Sequence, residues 1–219
     1  MLTSLNQSKL QLYVTKQLEY FYPDENICSE AILNKVIELT LQRLALSFEK
    51  IKLPSFLKEG KPYFNHLNTD HYGMFLYLLS NTYWKETKDE VVASKLMYLN
   101  KTLHSFNCMY DTELPDIFCF IHMVGTVLGK AKYDNYLAVY QGVTVGSHGG
   151  QSPEIGKYVS LLPHSQIIGG CKLEDKVSVG VGVTLYNQHI KTEHIVIEDD
   201  HKKFIKSSRK LYSEMIFDL

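Results

Sequence analysis

The sequence predicts an α+β fold, with a helical domain over 1–106, a parallel β-helix over 107–190 and a C-terminal cap over 191–219. Three observations predict this order. Apolar residues follow helical spacing before about residue 106, an apolar residue then recurs at every sixth position from Leu114 to Leu185 with two interruptions, and the sixfold spacing ends after Leu185. A sixfold period is typical of a β-helix built from hexapeptides, because helices repeat near 3.6 residues and single strands near two.

The first part of the chain contains clear helix signals. Ser29 is a candidate N-cap of a helix, and Thr69 and Asp89 are candidate N-caps of two more. The apolar stripe predicted for the first of these helices is Ile32, Val36, Leu39, Leu44 and Phe48, and the stripe predicted for the third is Val92, Leu96, Leu99 and Leu103. We expect this helical domain to cover the first end of the β-helix.

The inward side chains of the β-helix are predicted from the sixfold count. They are Leu114, Phe120, Val127, Tyr133, Val139, Val145, Ile155, Leu161, Ile167, Leu173, Val179 and Leu185. Small or β-branched residues often follow four positions after the inward ones, and these are Ala131, Val143, Val159, Ser165, Cys171, Val177 and Val183. Three hexapeptides would form one triangular coil with a short strand on each side. A sandwich of short strands is the alternative, but it needs spacings of about eight to twelve residues.

The sixfold count is broken in two places, and each break contains a histidine. The step after Phe120 is seven residues long and contains His122, and the step after Val145 is ten residues long and contains His148. Stacked strands cannot absorb extra residues, which therefore leave the coil as a bulge or a loop. Because functional residues concentrate in such loops, the two breaks are the predicted site.

After Leu185 the sequence changes to a strand-like run followed by a predicted amphipathic helix. The open strand edges at the end of a solenoid invite pairing with other chains. We therefore expect this tail to act as a cap.

The composition favours small-molecule ligands. The formal net charge is −1, and the chain has no long basic run, which argues against nucleic acid or an anionic membrane as the main partner. The N-terminus lacks the pattern of a signal peptide and no apolar stretch approaches the length of a membrane span, so we expect a cytoplasmic protein. The four cysteines form no CxxC pair, so neither a disulfide framework nor a zinc site is expected.

The segment FIHMVGTVLGKA, followed by YQGVTVG and a glycine-rich loop, resembles the catalytic region of the serine acetyltransferases. These enzymes belong to the left-handed β-helix (hexapeptide repeat) acyltransferases. The resemblance covers about residues 107 to 185, and the helical domain ahead of it agrees in order and kind. It implies a left-handed β-helix, acetyl-CoA as co-substrate without a metal, a hydroxyl acceptor, and homotrimers or dimers of trimers.

His122 matches the catalytic histidine of that family, and we predict it to be the general base. Transfer of an acetyl group from a thioester to a hydroxyl needs a base, and imidazole has an ordinary pKa near 6.5. His148 is predicted to bind the acceptor or to act as an alternative base. Backbone N–H groups of Gly146, Gly149 and Gly150 are candidates for stabilising the oxyanion of the intermediate.

The predicted donor-binding residues follow the same resemblance. Glycines allow close approach of a pantetheine chain, and the candidates are Gly146, Gly149, Gly169, Gly170, Gly180 and Gly182. Lys202, Lys203, Lys206 and Arg209 are candidates for binding the phosphates of CoA, with simple solvation on a surface helix as the alternative.

The chain departs from the family at several positions. Asn107 stands where the family has an Asp that orients the catalytic histidine, so Asn107 is the predicted orienting residue and Asp111 or Asp116 the alternatives. Ile121 replaces an acid, and Gln151 and Ser152 replace an Arg-His pair. The predicted acceptor-binding residues are His148, Gln151, Ser152 and Asp70. Because these changes remove charge where a zwitterion would bind, we expect an acceptor other than free serine, with a sugar hydroxyl as the first choice.

Four alternatives stay open. The chain could be an L-serine O-acetyltransferase, an amino-sugar N-acetyltransferase or a non-catalytic scaffold. A carbonic anhydrase of the γ type would hold a metal through histidines such as His122, His148 and His164, but its HxxxxH pair is absent. Because three hexapeptides make one coil, counting the hexapeptides in groups of three places the two breaks at different corners of the prism. One chain would then not bring them together, which predicts a site shared between subunits.

Overall fold

The structure is a computed structural model that describes residues 1–24, 26, 28–200, 202–207 and 211–218. The helices are α1 (Gln7–Phe21), α2 (Glu30–Phe48), α3 (Thr69–Thr87) and α4 (Glu90–His104). A small sheet lies beside them, made of β1 (Leu2–Thr3), β2 (Leu57–Lys58) and β3 (Lys61–Phe64). Helix α3 lies at the centre of this region, because its residues from His71 to Tyr83 are all buried.

The second part of the chain is a parallel β-solenoid with three faces. Face I contains β5 (Phe118–Ile121), β8 (Leu137–Tyr140), β11 (Ser160–Leu161), β14 (Ser178–Val179) and β17 (His194–Asp199). Face II contains β4 (Asn107–Cys108), β6 (Val127–Leu128), β9 (Thr144–Gly146), β12 (Gln166–Ile168) and β15 (Thr184–Tyr186). Face III contains β7 (Lys132–Tyr133), β10 (Glu154–Ile155), β13 (Lys172–Leu173) and β16 (His189–Ile190). The predicted α+β fold with a β-helix is confirmed.

The chain turns three corners in each coil. It passes from face I to face II at the bulge corner, formed by 122–126, 141–143, 162–165 and 180–183. It passes from face II to face III at the loop corner, formed by 129–131, 147–153, 169–171 and 187–188. Residues 134–136, 156–159, 174–177 and 191–193 form the third corner. His122 and His148 therefore lie at different corners, as the count of hexapeptides predicts.

The inward column agrees with the sixfold count at every predicted position except Val127. The side chain of Val127 is 37% exposed, and its neighbour Leu128 is 1% exposed and points inward. The prediction for Val127 was wrong because the bulge after β5 contains two extra residues, and the next turn is one residue shorter. A count along the chain gives only the net number of extra residues, and it does not show how they are divided between the turns before and after β6.

The helix predictions need three small corrections. Asp89 caps α4 as predicted, since its side chain accepts from Val91 N–H and Val92 N–H. Asn68, and not Thr69, caps α3, because the helix begins one residue earlier and the Asn68 side chain reaches Asp70 N–H and His71 N–H. In α2 the predicted Val36, Leu44 and Phe48 are buried, but Ile32 is 41% exposed and Leu39 only half-buried; the buried residues are Leu33, Val36, Ile37, Thr40, Leu44, Ser47 and Phe48. In α4 the predicted Val92, Leu96 and Leu99 are buried, whereas Leu103 is 37% exposed.

The tail is a hairpin and not the predicted amphipathic helix. Strand β18 (Lys202–Ser207) pairs antiparallel with β17. The register places Lys202 opposite Asp199 and Lys203 opposite Glu198, and opposite charges across a ladder favour this pairing. The partner strand, which the local pattern does not reveal, therefore decides the conformation of this segment.

The last described segment, 211–218, returns to the helical domain. Lys52 N–H donates to Ile216 O at 2.9 Å, and Asp218 N–H donates to Lys50 O at 2.8 Å. Phe217 is fully buried and meets the ring of Tyr136 edge-on at 5.6 Å. The tail therefore connects the far part of the solenoid with the segment that follows α2. Within the described ranges, no helix combines the length and apolarity that crossing a membrane requires.

Helix α3 also carries a buried histidine. His71 is fully buried between the rings of Phe48 and Phe56, and its Nδ1 accepts a hydrogen bond from Asn65 N–H at 3.1 Å. Its Nε2 has no hydrogen-bond partner among the described residues. Burial disfavours the imidazolium and lowers the pKa of His71 to about 4.

We expect the protein to lose stability as the pH falls from about 6.5 toward 4. Unfolded His71 binds a proton near its ordinary pKa, whereas folded His71 binds it only near pH 4. The unfolded state therefore gains up to roughly 3 kcal/mol from this group at pH 4, and nothing above pH 7. Urea titrations at several pH values measure the free energy of unfolding. The His71→Gln variant should lose this part of the slope and His189→Gln should keep it; equal slopes in all three proteins would contradict the assignment.

Candidate active site

The bulge that follows β5 presents a histidine to solvent. His122 has a left-handed backbone, with φ 53°, and its side chain is 77% exposed. Val124 N–H donates back to His122 O at 2.6 Å, and Gly125 N–H donates to Ser105 O at 3.2 Å. The extra residues therefore form a tight, hydrogen-bonded turn that stands outside the coil and holds the imidazole at the bulge corner.

A carboxylate from the helical domain contacts this turn. Asp70 lies in the first turn of α3, and its Oδ2 is 3.7 Å from His122 Nδ1. Its Oδ1 accepts a hydrogen bond from Met123 N–H at 3.3 Å, and the side chain is only 14% exposed. A carboxylate beside Nδ1 favours the tautomer that carries the proton there, which leaves Nε2 free to accept one.

The same turn is anchored by the next side chain. Met123 is 1% exposed and packs against Gly73 of α3, where an added Cβ would lie 2.1 Å from its Sδ. Behind this contact, Asn100 Nδ2 donates to Gly73 O at 2.9 Å, and His104 Nδ1 lies 2.8 Å from Asn100 Oδ1. Burial lowers the pKa of His104, against the opposing effect of the Asp70 charge. Helices α3 and α4 therefore support the bulge from behind.

Asp70 lies beside the imidazole of His122, where the sequence predicted Asn107, Asp111 or Asp116. Asn107 starts β4 and its N–H donates to Thr126 O, but the described residues show no hydrogen bond between its side chain and His122. Asp111 pairs with Lys130 at 2.6 Å. Asp116 contributes its backbone oxygen to Ser47 Oγ at 2.8 Å. The sequence placed Asp70 among the acceptor-binding residues and contained no signal for its contact with His122, because Asp70 belongs to the other part of the chain.

The second break forms a compact hairpin. His148 N–H donates to Gln151 O at 2.9 Å, and Gln151 N–H donates to His148 O at 3.0 Å. Gly149 and Gly150 between them both have positive φ, 58° and 77°, as a two-residue turn of this hand requires. The His148 ring meets the ring of Tyr186 edge-on at 5.4 Å. The loop is therefore a defined structure at the loop corner, with Ser152 exposed beside it.

The glycines predicted to bind the donor fall into two groups. Beside Gly169, Gly170 and Gly180 the space is filled, because an added Cβ would lie 2.2 Å from Asn187 Oδ1, 2.6 Å from Gln151 Oε1 and 2.7 Å from Val196 O, respectively. Beside Gly149 and Gly182 no atom lies within 4 Å, and beside Gly146 the nearest atom is Ile168 Cδ1 at 3.5 Å. Packing within the single chain therefore explains why Gly169, Gly170 and Gly180 are glycines. Gly182, in contrast, lies at the bulge corner beside open space.

The lysines predicted to bind the phosphates of CoA lie on the C-terminal hairpin. Lys202, Lys203 and Lys206 are exposed in β18, where two of them face acidic residues of β17. Arg209 lies outside the described residues. In the part of the chain that the structure describes, no group of three or more His, Cys, Asp or Glu side chains is arranged to hold a metal ion.

No protein-family model matches the sequence. No curated protein matches it either. Solved structures of serine acetyltransferases do match the fold. The enzyme of Vibrio cholerae O1 biovar El Tor N16961 gives a TM-score of 0.72 at 13% identity, covering 95% of this chain and 82% of that one. The enzyme of Neisseria gonorrhoeae gives 0.68 at 16% identity, covering 95% and 82%.

A serine acetyltransferase solved in complex with CoA gives a TM-score of 0.67 at 13% identity, covering 90% of this chain and 84% of that one. These likenesses extend over the helices as well as the solenoid. They show that the chain has the fold of serine acetyltransferases, a helical domain followed by a left-handed β-helix.

We expect Gly73→Ala to displace the bulge and to destabilise the protein. The added methyl group would overlap Met123 Sδ, which must move together with its neighbour His122. The expected loss is about 1–3 kcal/mol in the free energy of unfolding, measured by urea titration. The double variant Gly73→Ala/Met123→Ala removes the overlapping atoms and serves as the control for the clash. If Met123→Ala costs the same stability with and without Gly73→Ala, the two residues are not coupled and the proposed anchoring is wrong.

Proposed function

We propose that this chain is a CoA-dependent O-acetyltransferase that moves an acetyl group from acetyl-CoA to a hydroxyl of a small acceptor. One observation carries the proposal: an exposed histidine, His122, stands on a structured bulge beside the Asp70 carboxylate. The fold supports it, because it is the fold of serine acetyltransferases, one of which was solved with CoA.

In the proposed reaction His122 acts as the general base. The acceptor hydroxyl donates to Nε2, and its oxygen attacks the thioester carbonyl carbon as the proton moves to the imidazole. The tetrahedral intermediate collapses by breaking the carbon–sulfur bond, and the imidazolium returns the proton to the departing thiolate. Asp70 holds Nδ1–H and stabilises the imidazolium that forms between these steps. Backbone N–H groups of Gly149 and Gly150 remain our candidates for contacting the oxyanion.

We propose a sugar hydroxyl as the acceptor. The loop corner offers the half-exposed ring of Tyr186, with His148 against it and the side chains of Gln151 and Asn187 close by. An aromatic ring flanked by neutral amides fits a ligand with an apolar ring face and several hydroxyl groups. The loop has no charged residue between Gly146 and Pro153 to bind the ends of a zwitterion such as free serine.

We further propose that the active protein is a trimer. In the single chain His122 is 77% exposed, whereas acyl transfer from a thioester benefits from exclusion of water. The bulge and the His148 loop lie at different corners, so one chain cannot enclose a ligand between them. Parallel packing of three prisms would bring the loop of one chain to the bulge of the next.

We expect His122→Ala to lower kcat by about 10²–10⁴-fold, because the variant has no base on the bulge beside Asp70. Release of the CoA thiol from acetyl-CoA measures the rate, in a screen of sugar, amino-sugar and amino acid acceptors. Asp70→Asn keeps the size of the side chain and removes its charge, so kcat should fall by about tenfold or more with little change in either KM.

The acceptor screen separates the alternatives. A clear rate with L-serine would contradict the sugar acceptor, and a rate confined to amino sugars would make the enzyme an N-acetyltransferase. Absence of thiol release with every acceptor, from protein that binds CoA, would contradict the transferase and favour the scaffold. An unchanged rate in His122→Ala would contradict its role as the base.

Sedimentation velocity at assay concentrations should show trimers or dimers of trimers. Dilution below the dissociation constant of the trimer should reduce the specific activity, since each proposed site needs two chains. A fully active monomer would contradict the shared site.

A further inference from the structure

The bulge corner carries a second exposed histidine. The pairing of β5 with β8, and of β8 with β11, stacks three successive coils in register. At the corner itself, Gly142 N–H donates to Val124 O at 3.0 Å, and His164 N–H donates to Gln141 O at 2.9 Å. His164 is therefore placed on the same edge of the prism as the His122 bulge, two coils further along.

The His164 ring extends toward that bulge. A Cβ added to Gly142, in the intervening coil, would lie 2.2 Å from His164 Nδ1 and 2.6 Å from His164 Cε1. The ring thus occupies the space that a side chain at position 142 would fill. Neighbouring coils are about 4.8 Å apart, so the ring covers much of the roughly 10 Å between the two histidine backbones. Beyond it, the space beside Gly182 is open.

The imidazole of His164 is also free to bind. Among the described residues it makes no side-chain hydrogen bond, whereas His189 is paired with Glu174 at 2.7 Å and His194 with Thr192 O at 2.7 Å. Its left-handed backbone, φ 61°, is not in itself a sign of function, because Tyr136, at the third corner, shares this conformation. Its position on the edge that carries His122 distinguishes it.

The helical domain limits the direction from which a donor can approach. Helix α3 packs on β5 and α4 packs on β4, so the end of the solenoid before the bulge is covered. A thioester held at His122 therefore has its long arm directed the other way, over Gly142, His164 and Gly182. The pantetheine arm of CoA carries two amides, whose carbonyl oxygens accept hydrogen bonds.

We propose that His164 binds the acyl donor, its ring N–H donating to an amide carbonyl of the pantetheine arm while the thioester lies at His122. This inference rests on the proposed function and specifies its donor side. His164 would thereby be a residue that determines affinity for CoA thioesters, and not the base of the reaction.

Calorimetric titration of the full-length protein with CoA tests the proposal without turnover. His164→Ala should weaken CoA binding by roughly 5- to 20-fold, as expected for the loss of one hydrogen bond at a partly enclosed site. His164→Gly, which adopts the left-handed backbone without strain, should show the same loss, so that the defect belongs to the imidazole. The matched control His189→Ala should bind CoA as the wild type does. In the thiol-release assay, KM for acetyl-CoA should rise by the same factor, with kcat and KM for the acceptor within about twofold of wild type.

The outcomes separate this inference from the proposed function. Failure of the wild-type protein to bind CoA would contradict the proposed function itself. Equal CoA affinity in wild type, His164→Ala and His164→Gly would overturn the role of His164 and leave the proposed function standing. A rise in the KM of the acceptor, with that of acetyl-CoA unchanged, would also overturn it and place His164 on the acceptor side.

Discussion

The contact between the first turns of α3 and the bulge after β5 is the constraint on which the site depends. The bulge 122–126, with its extra residues, cannot be held by the ladder of the solenoid alone, because those hydrogen bonds serve regular coils. Gly73 accepts the Met123 side chain, and Asp70 accepts Met123 N–H beside His122. A glycine inside a helix costs about 1 kcal/mol relative to alanine. Burial of a methionine contributes about 1.5–3 kcal/mol, which offsets this cost. The helical domain is thus part of the site as well as a neighbour of it.

The sequence was most informative where one physical pattern dominates. The sixfold period reflects side chains that must stack inside a narrow prism, and the buried column from Tyr133 to Leu185 follows it closely. The error at Val127 arose next to the bulge, where two extra residues and a turn that is one residue shorter appear in a simple count as one extra residue. The error in the tail has another cause, since the pattern of β18 suits a helix as well as an exposed strand. Its pairing with β17 decides between them.

The site was predictable in part. His122 was predicted because it interrupts the period, and the structure places it on an exposed bulge. Its acidic neighbour was missed, since Asp70 lies 53 residues before Met123 and reaches it only through the packing of α3. The family resemblance led instead to Asn107, on a strand of the solenoid itself. The glycines show a similar limit: a sequence does not tell whether the space beside a glycine is filled, as at Gly180, or open, as at Gly182.

The path of the tail has a consequence for how the molecule comes apart. A solenoid interacts mainly between adjacent repeats, and its terminal repeat is ordinarily free to unwind alone. Here the residues that follow the last hairpin return to Lys50 and Lys52, so that both ends of the repeat array are attached to the helical domain. Unwinding from the far end then requires loss of the buried Phe217 and its backbone pairing with Ile51. The array is in effect a closed loop, which favours a single cooperative unfolding transition over fraying coil by coil.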